Sequence, residues 1–245
     1  MVPIGNDVPQ LRTPWVTLLI LSALLAVWVL LQGAGFEPAT LVATVCNLGL
    51  VPGELTRMAP VGLGVPIAPG LECVVDRDPI NNATLLTSMF LHGSWGHLIS
   101  NGIFLWVFGR SVEDSLGRLR FLVFYLVCGL CAAALQVAIS PASPVPIVGA
   151  SGAIAGVLGG FLRLYPHAQV RILFVFIIVA RVITLPAAFV LLWWIGLQLL
   201  AGLPQLSAVQ PVSSGVAVWA HIGGFVAGLL LSRLFQNRQL LSAHL

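Results

Sequence analysis

Four polar side chains stand in apolar surroundings: His97, Asn101, Ser151 and His221. A serine hydroxyl is a weak nucleophile until a base removes its proton, and a neutral imidazole, with a reference pKa of about 6.5, suits that task. Ser151 therefore reads as a nucleophile and His221, seventy positions on, as its general base. No Asp or Glu follows Asp114, so a carboxylate completing a triad is not expected and the pair reads as a Ser–His dyad. Acyl transfer also needs N–H donors aimed at the developing oxyanion. His97 and Asn101, spaced i and i+4, share one helix face and both donate. The backbone N–H of Ser151 joins them if a helix starts near Ala150.

Competing chemistries are weaker. His92, His97 and His221 offer three imidazoles, but His92 falls off the helical face of His97 and no carboxylate or thiolate joins the set, so no metal is expected. Cys128 and Cys131 lie in an apolar stretch without His or carboxylate and read as packing residues. Gly149-Ala150-Ser151-Gly152-Ala153 is only superficially a nucleophile elbow, because its last position is Ala and a strand-turn-helix context is missing. No cofactor is implied.

The elements that must hold these groups are membrane helices. The chain is 58% hydrophobic and 8% charged, with a mean hydropathy of +1.02, a composition whose solvent is the bilayer. All 11 basic residues are Arg, scattered singly, which excludes a nucleic-acid stripe. About 20 helical residues cross a hydrocarbon core of about 30 Å. That ruler gives six spans, near 15–31, 96–108, 119–139, 150–164, 184–201 and 215–235, the first retained rather than cleaved as a signal. The apolar segment 172–180 rises only about 14 Å as a helix and is expected to be an interfacial or re-entrant, hairpin-like feature.

With the N-terminus inside, only Arg57 and Arg77 fall outside, so both termini are expected in the cytoplasm. The second, fourth and sixth spans then run in one direction, and the four polar groups come to a similar shallow depth. Segment 33–84 becomes a long outer loop rich in Gly and Pro, where Cys46 and Cys73 are allowed a disulfide that the sequence does not decide. Small residues at Gly152, Gly156 and Gly160, and at Ala220, Gly224 and Gly228, let the fourth and sixth spans approach closely. No internal repeat favours a transporter.

Gly149-Ala150-Ser151-Gly152, Ala220-His221-Ile222-Gly223-Gly224, His92-Gly93-Ser94-Trp95-Gly96-His97 with Asn101, and Gly109-Arg110-Ser111-Val112-Glu113 together resemble the rhomboid family of intramembrane serine proteases. The likeness runs from about residue 85 to 228. It implies an all-α, six-transmembrane-helix rhomboid fold in a single domain over 1–245, with the outer loop at 33–84 and the catalytic core helices at 85–235. It further implies a Ser151–His221 dyad, oxyanion donors from His97, Asn101 and Ser151, and a structural hydrogen-bonding role for Glu113. The implied substrates are transmembrane segments of single-span membrane proteins. Entry is expected past the fifth span, where Trp193 and Trp194 read equally as a gate or as lipid-facing or packing aromatics. The implied partners are those substrates and the lipid bilayer, with no nucleic acid. A bacterial cytoplasmic membrane, with the site open to the outside, is the expected location.

Two features depart from the family pattern. No Trp-Arg pair occurs in the first outer loop, and Ala155 stands where some members place a Tyr against the catalytic His. The alternative is a catalytically silent rhomboid-like protein that binds membrane clients, against which retention of all four polar residues argues.

Overall fold

The computed structural model describes residues 2–76, 81–176, 179–206 and 217–242. The chain opens with strand β1 (Val2–Asn6) and enters helix α1 (Trp15–Ala26), whose end widens into a π turn at Val27–Leu31. Helix α1 begins after Pro14 with no capping side chain of its own. Glu113 supplies the cap from across the molecule: its carboxylate accepts from the Val16 and Thr17 N–H groups at 3.0 and 2.7 Å and from the Thr17 hydroxyl at 2.7 Å. A negative charge at a helix N-terminus satisfies orphan N–H groups and meets the positive end of the dipole, which is how a carboxylate can stay buried here. The hydrogen-bonding role implied for Glu113 has this physical content. Beside it, Arg12 and Asp114 pair at 2.8 Å.

The outer segment is ordered rather than a plain loop. It carries helices α2 (Pro38–Leu48) and α3 (Pro52–Leu55) and a hairpin of β2 (Gly64–Ala68) and β3 (Leu71–Val74). A Cys46–Cys73 disulfide ties α2 to β3, deciding what the sequence left open. A short helix α4 (Thr84–Thr87) leads to α5 (Trp95–Phe104), a π turn at Leu105–Gly109 and α6 (Arg110–Leu116). This helical path runs beyond the expected end at 108 and stops at Gly117, whose φ of +84° lies in the region glycine tolerates.

The remaining elements are α7 (Arg118–Ile139), α8 (Ser151–Leu164), strands β4 (Gln169–Phe176) and β5 (Val179–Pro186), α9 (Ala187–Gly202), α10 (Val218–Phe235) and α11 (Arg238–Ser242). Helices α7, α9 with its following turn, and α10 are long and apolar enough to cross a membrane. Segments Trp15–Leu31, Pro38–Leu48 and Ser151–Leu164 form shorter apolar helices. The protein is an integral membrane protein built mainly of helices.

The all-α expectation gives way at two small sheets. Segment 172–180 belongs to a β-hairpin, with β4 and β5 paired from Gln169↔Pro186 to Phe176↔Val179 and β1 added along β4. Its run of Val, Ile and Phe, too short to span as a helix, fits a pleated and half-buried surface better. The hairpin takes Thr184, Leu185 and Pro186 from the expected fifth span, which begins as helix only at Ala187. The sixth begins at Val218, and residues 215 and 216 lie outside the described residues. Arg77 and Asp78 of the outer loop, and the Arg238 side chain, lie outside them too.

At the centre stands α8, buried at every residue from Gly152 to Phe161. It presses on α10 backbone to backbone: a Cβ added at Gly224 would overlap the Gly152 carbonyl oxygen, and one at Gly228 would overlap that of Gly156. Such contact is open only to residues without a side chain. On its other flank Gly156 meets Cys128, which is buried with a free thiol and acts as a small packing group. Below the seam, Phe108 and Phe161 meet edge to face at 5.0 Å.

Candidate active site

The bend before α8 sets the position of Ser151. Gly149 has a φ of +123°, and its N–H donates to the Ser88 carbonyl at 2.8 Å. Any Cβ at this position would come within 2.7 Å of the His97 ring, so glycine serves both the backbone angle and the close approach of that imidazole. Ser151 is the first residue of α8, where a backbone N–H has no intrahelical acceptor.

His221 arrives from α10. The Gln136 amide oxygen, on α7, accepts from the Ala220 N–H at 3.1 Å and so fixes the first turn of α10. The imidazole Nε2 then lies 2.8 Å from Ser151 Oγ. Its other nitrogen, Nδ1, lies 2.9 Å from the Gln198 side-chain oxygen on α9. One turn earlier on α9, the Trp194 ring leans on the same imidazole at 5.8 Å and on Phe225 at 6.2 Å.

Facing this pair are His97 and Asn101 on α5. Ser94 caps the helix by accepting from the His97 N–H at 3.1 Å, which fixes where the ring leaves the backbone. Asn101 is buried, with its side-chain nitrogen 3.0 Å from His92 Nε2. Burial, with a smaller contribution from His97, lowers the His92 pKa to about 4, so the ring is uncharged at neutral pH, and in the tautomer protonated on Nδ1 its Nε2 accepts from the Asn101 amide. Gln32 grips the His92 backbone from both sides: its oxygen accepts from the N–H at 2.9 Å and its nitrogen donates to the carbonyl at 2.7 Å. In that arrangement one Asn101 N–H is donated to His92 and the second is left for the cavity that Asn101 lines.

His97, Asn101, Gly149, Ser151 and His221 all line one cavity of about 430 Å³. The structure therefore brings together the four polar residues singled out in the sequence. A hydroxyl beside a basic nitrogen, facing donors across a cavity, is an arrangement suited to acyl transfer. Among the described residues no cluster of three or more His, Cys, Asp and Glu could hold a metal ion.

Several contributors escaped the sequence reading. Gln136 and Gln198 are amides inside apolar helices, and the rule that flagged the serine and histidines applies equally to them. His92 was set aside as off the helical face; it works from the loop, by holding Asn101. The position occupied by a Tyr in some family members is Ala155, buried in α8, and the ring against His221 comes from α9 instead. Trp193 and Trp194 do not act alike: Trp193 is 56% exposed, whereas Trp194 turns inward onto the imidazole.

Comparison with known proteins bears on this site. The rhomboid domain family matches residues 81–238, a range that contains every residue of the cavity's polar cluster and well over half of the chain. The chain is similar to rhomboid protease GluP of Bacillus subtilis, with 44% identity over 78 residues, 32% of this chain and 15% of that protein. It is similar to mitochondrial rhomboid protein 1 of Saccharomyces cerevisiae, with 36% identity over 97 residues, 38% of this chain and 28% of that protein. It also resembles RHOMBOID-like protein 7 of Arabidopsis thaliana, with 32% identity over 162 residues, 61% of this chain and 42% of that protein. In each case the chain spans less than half the length of the relative it matches.

Proposed function

This chain belongs to the rhomboid family, and on that footing we propose that it is an intramembrane serine endopeptidase cleaving transmembrane segments of single-span membrane proteins. Ser151 Oγ attacks the scissile carbonyl while His221 Nε2 takes its proton, then passes it to the leaving amine. The acyl-enzyme is released by water activated at the same nitrogen. His97, Asn101 and the Ser151 N–H donate to the oxyanion in both steps. The observation that carries this reading is the 2.8 Å contact between Ser151 Oγ and His221 Nε2 in a cavity faced by His97 and Asn101.

In this reading the chain forms one rhomboid-like domain over 1–245, with six spans, both termini in the cytoplasm and the cavity opening outward. The pairing of β1 with β4 supports it, because it joins the N-terminal strand to the connection between the fourth and fifth spans, which six spans put on one side. The proposed location is a bacterial cytoplasmic membrane; the relatives include bacterial GluP and a mitochondrial yeast protein. A helical substrate hides its scissile carbonyl in a hydrogen bond to its own backbone, so weak helix formers near the cut ease local unwinding.

The test is labelling of the detergent-solubilised chain by a serine-directed fluorophosphonate, followed by cleavage of a single-span substrate in liposomes. Wild type is expected to be labelled, and Ser151→Ala and His221→Ala are expected to lose both labelling and cleavage. Equal labelling of Ser151→Ala sinks the nucleophile assignment. A folded wild type that neither labels nor cleaves points to the client-binding alternative.

A further inference from the structure

A Ser–His pair without a carboxylate leaves one question open: what holds the imidazole in the tautomer that can act as a base. Nε2 must offer its lone pair to Ser151, so the proton of neutral His221 belongs on Nδ1 and needs an acceptor. The chain has no Asp or Glu beyond Asp114. What meets Nδ1 is the Gln198 side-chain oxygen, at 2.9 Å.

Resting on the reading of Ser151 and His221 as nucleophile and base, we propose that Gln198 is a positioning residue: its amide oxygen accepts the Nδ1 proton of His221 and aims Nε2 at Ser151, and it does so from α9, so the site is complete only while that helix is docked. Three observations support this. Trp194, at i−4 from Gln198, reaches the same imidazole, so one face of α9 fixes both the tilt of the ring and its hydrogen bond. A neutral amide carries less desolvation cost beside a half-buried imidazole than a carboxylate would. Finally, α9 is the least enclosed of the three long apolar helices: 22% of its apolar window is buried, against 33% for α7 and 44% for α10. Its fully buried residues, Ala187, Leu191, Ile195 and Gly202, form a single line. The brace thus stands on the least enclosed of these three helices.

The opposite amide orientation would donate to Nδ1, put the imidazole proton on Nε2 and silence the base. Substitution separates these cases. Gln198→Glu keeps an acceptor at the same reach, Gln198→Asn withdraws it by about one carbon–carbon bond of 1.5 Å, and Gln198→Leu or Gln198→Met removes it while keeping bulk. The experiment measures fluorophosphonate inactivation of the full chain in detergent, separating the maximal rate from the half-saturating concentration, alongside thermal stability.

Gln198→Leu is expected to slow the maximal rate at least about tenfold, consistent with loss of an oriented general base, with half-saturation and thermal midpoint near wild type. Gln198→Glu should restore most of the rate and Gln198→Asn should not. If Gln198→Leu fails to fold, Gln198→Met carries the same expectation. A wild-type maximal rate in Gln198→Leu or Gln198→Met, or slowing in Gln198→Glu as severe as in Gln198→Leu, overturns the assignment. An unlabelled wild type, or a labelled Ser151→Ala, instead sinks the dyad reading and the Gln198 role with it.

Discussion

The two sides of the Ser151–His221 contact are built differently. Behind it, α8 and α10 meet where Gly224 and Gly228 lie against the carbonyls of Gly152 and Gly156, so the distance between the two helices is fixed by backbone atoms. In front of it, α9, the least enclosed of the three long apolar helices, reaches the same histidine through two side chains, Trp194 and Gln198. Backbone contact brings Ser151 and His221 within reach and tolerates no added atom. The contacts from α9 to the imidazole are made by side chains alone. Proximity thus rests on a backbone seam, and the setting of the imidazole on side chains.

The seam is the place to break that contrast most severely. Gly224→Val or Gly228→Val must push α8 and α10 apart, because the new Cβ would overlap a carbonyl oxygen. Overpacking costs about 1–3 kcal/mol and sometimes more, and because the overlap here is with backbone, labelling is expected to vanish together with a cooperative thermal transition. A folded, labelled Gly224→Val would remove the distinction between the two sides.

A smaller effect is expected from the outer segment that presses on the connection ahead of Ser151. Leu50 pairs with Ile147, the Gly53 N–H donates to the Ser143 carbonyl, and the disulfide closes the segment behind them. Cys46→Ser or Cys73→Ser should lower stability by about 2–4 kcal/mol, the usual range for losing a native disulfide. Thermal unfolding with and without reductant measures this. Both variants are expected to label while folded, since the seam remains; loss of labelling well below the unfolding temperature would show that the outer segment shares in positioning the dyad.

The smallest effect on stability, and the most telling, belongs to α9. Trp194→Ala should slow inactivation about fivefold to tenfold while moving the thermal midpoint by only a few degrees, on the order of 1 kcal/mol. Trp193→Ala, which alters an exposed ring, should change neither. Equal slowing in the two variants would mean that α9 acts through its general docking and not through the ring against His221.

Legibility in the sequence followed local physics. Isolated polar residues in apolar helices announce themselves by their cost, and small residues at a spacing of four announce a close contact. Those two signals were enough to pick out Ser151, His221, His97 and Asn101 and the helices that join them. The hairpin of β4 and β5, whose pairing is local, was legible as a hairpin-like apolar stretch too short to cross the bilayer, whereas the addition of β1, from more than 160 positions away, was not. The disulfide was undecidable for the same reason: Cys46 and Cys73 are 27 residues apart, and only the folding of α2 against β3 brings them together.

The amino-acid sequence by itself determined that this chain lives in a bilayer, which polar residues stand out in its apolar helices, and which helices must touch. Each of these follows from transfer cost and from periodicity along one helix, which are properties of a segment. Tertiary structure alone decided who serves those residues: Glu113 at the start of α1, His92 behind Asn101, Gln136 at the start of α10, and Gln198 with Trp194 against His221. A hydrogen bond of about 3 Å needs two groups from distant parts of the chain at one distance and one angle. No local pattern encodes that coincidence, so Ser151 and His221 could be read along the chain, while the groups that contact them could be found only in space.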